Sequence, residues 1–147
     1  MARKEISSIG LTLAINRLET ARTVTEDNAT KNLRRDFIDL FTLCDLSCKA
    51  LLEGYQKRIG TFKTTDQIKL SMSQIPSAVK MHGLEISYDV LNGIFGGSSQ
   101  YRKRGTKSAK KLRDGIVHSM NKNDVNEVVI RYEELERLMS MFLEAIK

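Results

Sequence analysis

Arg113 and His118 stand with four residues between them in the stretch KKLRDGIVHSM, residues 110–120, and His118 is one of only two histidines in the chain. A guanidinium is a permanent cation that can grip a phosphate through two parallel hydrogen bonds, and imidazole is the side chain whose ordinary pKa lies nearest neutrality. Together they suit phosphodiester cleavage. That reaction needs a base for the 2′-OH proton, an acid for the leaving oxygen and a cation for the charge on a phosphorane-like transition state. One histidine does not easily serve as both acid and base, whereas a symmetric dimer supplies two. On a regular helix, residues five apart are turned from each other by about 140°, so the two side chains would not lie side by side. Convergence then calls for a helix end or bend, where Gly115 lowers helix propensity, or for a site assembled between chains. The plainer alternative is a solvated helix arginine and a partly buried histidine with a backbone partner.

Just upstream, Arg102, Lys103, Arg104, Lys107, Lys110 and Lys111 precede Arg113 without an intervening acid, beside Tyr101, an aromatic able to stack on a base. Cations here would hold the phosphates on either side of a cut, which makes residues 101–111 the candidate RNA-binding segment. The competing reading of such a run is a solvated loop. The whole chain, with 24 Lys and Arg against 18 Asp and Glu, carries a net charge of +6. That balance favours a polyanion, either nucleic acid or an acidic protein. Cys44 and Cys48 are one helical turn apart, but no second pair of ligands stands at metal-binding spacing, so they are expected as buried free thiols with no metal. His82, in KMHGL, suits a helix C-terminus.

The elements that must position these residues are helical in pattern. Ile6, Ile9, Leu13 and Leu18 predict a first amphipathic helix over about 3–22, and TVTEDNAT at 23–30 supplies caps for a second. From 31 to 59 apolar residues recur every three or four positions from Leu33 through Phe37, Phe41, Cys44, Cys48 and Leu52 to Ile59, with Gly60 as the stop. A third helical section over 66–95 should be kinked or broken near Ile75 by Pro76, with Thr64, Thr65 or Asp66 as its cap. GGSSQ at 96–100 reads as a loop, Ser108 as the cap of the helix bearing Arg113, and NKND at 121–124 as a turn before a last helix near 125–146 opened by Asp124. One domain of 147 residues follows: all-α, an antiparallel up-and-down bundle of four main helices plus a short or broken one. No segment has the form of a leader or approaches the roughly 20 apolar residues of a spanning helix, so a soluble cytoplasmic protein without membrane contact is expected.

Arg113, the polar Asp114, then Gly115, Ile116, Val117 and His118 resemble the R-x(4–6)-H motif of the HEPN superfamily, in which Asn, Asp or His commonly follows the arginine. The small helical bundle and the motif's place before a long terminal helix fit the same resemblance. It implies a metal-independent endoribonuclease with no cofactor, a homodimer whose composite active site pools both motifs, and a role as a toxin or defence effector with an antitoxin or defence-system partner. By the same resemblance Arg113 polarises the scissile phosphate, His118 transfers protons and Asp114 orients the pair. The chain departs from nucleotidyltransferase-paired HEPN toxins at Met120, where those carry a tyrosine two residues after the histidine. Regulation by modification of that tyrosine is therefore not implied. A non-catalytic helical domain that binds nucleic acid or an acidic protein through 101–113 is the alternative from a different class. A structural interaction module with charge for solubility is a third.

Overall fold

Asp27 opens the longest helix by accepting the Thr30 N–H at 2.6 Å, which satisfies one of the amides that a helix start leaves bare. The computed structural model describes residues 27–97 and 105–147; the amphipathic segment expected over 3–22, and Tyr101, Arg102, Lys103 and Arg104, lie outside the described residues. Helix α1 runs Asn28–Ile59 and closes on Gly60 at φ 80°, whose N–H reaches Gln56 O. Its buried stripe, Phe37, Phe41, Cys44, Cys48 and Leu52, advances by three or four residues and faces the core.

Both thiols sit in that stripe with no exposure, and burial pushes each up to about 12 from an ordinary 9.0. At about pH 8 the native thiolate population is then about a thousandfold below that of an exposed cysteine. Folded protein should resist alkylation that goes to completion in denaturant, and a mass shift under native conditions would contradict this burial. The same shift fixes a sign for stability. The folded state keeps protons that the unfolded chain releases above pH 9, so this contribution is complete below about pH 9 and is lost as pH rises toward 12.

The middle section departs from the expected broken helix. Only a single 3-10 turn, Thr65–Gln67, forms before Gln74. Beyond that turn Ile68 and Leu70 are buried on either side of exposed Lys69, the alternation of an extended segment. Pro76 starts a helix here and does not kink one: α2, Ile75–Met81, places it in the first turn, where its missing N–H has no partner to lose. His82 closes α2 with its ring Nδ1 at 2.8 Å from Ala78 O, and Gly83 follows at φ 72°. Ser87 caps α3, Tyr88–Phe95, which is buried from Val90 onward.

Ser108 begins α4, Ala109–Ser119, by accepting from Lys111 N–H, and its hydroxyl donates to Gly96 O at 2.6 Å. The last helix, α5, spans Lys122–Ala145. It opens earlier than the sequence pattern suggested, because Asn121 Oδ1 accepts from Asp124 N–H and takes the capping role. Asp124 lies inside the first turn, 3 % exposed, with its carboxylate 2.6 Å from Lys107 Nζ. Between the two helices Met120 adopts φ 48°, and the Met120 and Asn121 amides bond back to Ile116 O and Gly115 O.

The described residues form an all-α bundle of five helices with no strand. Lys107 lies against both Asp124 and Arg131, and Gly115 against Asp124, so α4 and α5 form an antiparallel hairpin. The two long helices run in the same direction: Asp36 shares a groove with Tyr132, and further along Cys44 Sγ reaches Met139 O. Phe95 on α3 joins these layers, 6.2 Å from Phe41 and 5.2 Å from Phe142. Among the described residues no helix is long and apolar enough to cross a membrane.

Candidate nucleic-acid interface

Arg113 occupies the middle of α4, where its guanidinium carbon lies 4.8 Å from the centre of the Phe41 ring. Because Phe41 is itself locked against Phe95, that face of the guanidinium rests on a rigid aromatic surface. Arg113 Nε is 3.0 Å from Asp114 Oδ1, an electrostatic contact only, since the buried Nε–H finds no aligned acceptor. The side chain is 28 % exposed, and its two terminal nitrogens make no hydrogen bond among the described residues. The arrangement can present a fixed, incompletely bonded fork to an anion.

His118 lies in the last turn of α4, exposed, without a hydrogen bond or ion pair among the described residues. The structure does not bring it beside Arg113. Helix α4 is continuous over all of its 11 residues, so the rotation of about 140° between the two positions stands. Asp114 and His118 are four apart and share one exposed face. Gly115, read from the sequence as a possible point of bending, instead makes room for the Asp124 carboxylate: a β-carbon at 115 would come within 2.9 Å of Asp124 Cγ.

The described part of the basic run, Lys107, Lys110, Lys111 and Arg113, does not form one face. Lys107 is committed to the buried Asp124 carboxylate, and its carbonyl accepts from Arg131, which also binds Glu127 at 2.8 Å and Glu134 at 3.2 Å. This makes Lys107 a tie between α4 and α5, at odds with the RNA-binding role expected for it. Lys111, in the first turn of α4, is half-buried. Lys110 and Arg113, three apart, turn the other way and line a groove of about 410 Å³ with Asp45 and Lys49 of α1 and residues Ile68, Lys69, Leu70 and Ser71. Lys110 Nζ donates to Leu70 O at 3.1 Å and fixes that segment against α4. Lys49 pairs with Asp45 at 3.1 Å.

Sequence reasoning missed Lys49 and Lys69. Lys49 follows Asp45 by one turn and reads as an ordinary helix pair, and only the I-K-L alternation at 68–70 marked Lys69 as an outward side chain between two buried ones. Comparison of the chain with protein-family models, with curated proteins and with solved structures finds no match.

Proposed function

We propose that the chain is a metal-independent endoribonuclease of the HEPN type, in which Arg113 holds the scissile phosphate, His118 transfers protons and Asp114 orients the arginine. The observation that carries this reading is the Arg113 side chain itself, seated on Phe41, steered by Asp114 and left with open nitrogens on the helix that exposes His118. Because Arg113 and His118 diverge within one chain, the active form on this reading is a homodimer that pools the two motifs. Val117, 57 % exposed next to His118, offers an apolar contact for the second copy. A toxin or defence role in the cytoplasm, with an antitoxin or defence-system partner, follows from the motif resemblance alone.

The test incubates wild-type and His118→Ala protein with mixed RNA in EDTA and identifies the new ends. Cleavage by wild type alone, leaving 2′,3′-cyclic phosphates, is the expected result. Dependence on added Mg²⁺, or equal cleavage by the variant, would overturn the reading. The same divergence of Arg113 and His118 favours one second reading, a non-catalytic nucleic-acid-binding domain, in which His118 is replaceable and the lysines are not.

A further inference from the structure

We infer that the groove between α1, the 68–71 segment and α4 is a track for the backbone of single-stranded RNA, with Lys49, Lys69 and Lys110 holding phosphates next to the one at Arg113. The reading of Arg113 as a phosphate ligand identifies the polyanion; the track itself rests on the groove. Four cationic side chains from three separate segments line it, against the single carboxylate of Asp45. Such a concentration of like charge is unfavourable until an anion enters, and the fold holds it in place: Lys110 is anchored on Leu70 O and Arg113 on the Phe41 ring. The one carboxylate at the groove, Asp45, is held by Lys49 at 3.1 Å. The part of Arg113 that an anion in the groove can reach is its pair of terminal nitrogens, which make no hydrogen bond among the described residues.

The occupant follows from charge and shape. Cations spaced along a groove match the regular charge of a phosphodiester chain, and Ile68 and Leu70 give the wall an apolar part for a ribose or base. A groove of about 410 Å³ has room for a short length of one strand's backbone, and its apolar wall suits riboses and unpaired bases, which a duplex keeps stacked inside. The substrate class is therefore single-stranded, and its path leaves the α4 motif across α1, through residues that the basic run at 101–113 does not contain.

The experiment measures anisotropy of a labelled RNA of about 12 nucleotides, a length within the site sizes of such grooves, in a His118→Ala background so that the probe stays intact. Lys49→Gln with Lys69→Gln should weaken binding about tenfold at 0.15 M salt and flatten the log–log salt dependence by about 1.4, at about 0.7 per lost contact with a single strand. Lys63→Gln with Lys80→Gln removes the same charge from exposed positions outside the groove and should change affinity less than about twofold. Lys69 makes no hydrogen bond or ion pair among the described residues, so Lys69→Glu alone tests the track without disturbing the fold, and it should weaken binding further than Lys69→Gln. A duplex of the same sequence should bind more weakly than the single strand. Equal effects of the two lysine pairs, or preference for the duplex, would overturn the track. Cleavage by wild type is scored separately. Cleavage with unchanged binding in the groove variants removes the track and keeps the ribonuclease; weakened binding without wild-type cleavage keeps the track and removes the ribonuclease. Failure of the histidine variant to bind RNA removes the track.

Discussion

Gly115→Ala should destabilise the fold by about 2–4 kcal/mol, although the same change in a helix interior ordinarily gains about 1 kcal/mol from propensity. The sign reverses because the new β-carbon would enter the space of the Asp124 carboxylate, with Asp124 Cγ only 2.9 Å away. Asp124 has little freedom to withdraw, being 3 % exposed and drawn onto Lys107 Nζ at 2.6 Å. Either α4 moves off α5 or the buried ion pair opens, and loss of a buried partner costs about 3–5 kcal/mol, reduced here by the partial exposure of Lys107. Urea unfolding of the variant should show a lower midpoint with an unchanged slope. Adding Asp124→Ala to Gly115→Ala should recover stability relative to the sum of the single changes by more than about 1 kcal/mol, the signature of a direct contact. Strict additivity would place the cause elsewhere.

His118→Ala and Arg113→Lys should both abolish most cleavage while leaving the protein folded, and they should differ in binding. Loss of a proton-transferring histidine is worth about 10²–10⁴ in rate. His118 is exposed and unbonded, so its removal should shift stability by no more than about 0.5 kcal/mol. Arg113→Lys keeps the charge and much of the stem, but a compact ammonium neither stacks flat on Phe41 nor offers a fork to a phosphate. Its cleavage should fall by about 10²–10³, the range for removal of one donor to a transition-state oxyanion, with RNA affinity only modestly reduced. On the proposed reading each histidine works with the arginine of a second copy, so specific activity should fall as the protein is diluted. Activity independent of protein concentration, with His118→Ala inert, would show that one chain suffices.

Local signals in the sequence were legible where neighbours in the chain decide the structure. The stripe from Phe37 to Leu52, the Gly60 stop and the Ser108 cap all follow from helix period and end chemistry, and each is where the pattern placed it. Pro76 was read as an interruption because its ring forbids a preceding helical turn, and the pattern alone did not show that the preceding residues were extended. Asp124 resembled a cap by residue type. Asn121, three positions earlier, takes that role, and the Asp124 carboxylate turns onto Lys107, 17 positions away, a pairing that no local window contains. The candidate site follows the same division. Arg113, Asp114 and His118 are adjacent in sequence and could be singled out, whereas the groove needs Lys49 and Lys69 from segments that meet only in the folded chain. The divergence of Arg113 and His118 was legible from helix geometry.

The chain's two cysteines, silent while it is folded, make the protein ready for site-specific spectroscopy. A cysteine introduced at Ile130, 82 % exposed on α5, would be the one thiol to take up a nitroxide or fluorophore under native conditions, with no prior removal of the natural pair. Pulsed dipolar measurements between two such labels would then report the spacing of copies within an assembly directly, in the unmodified core.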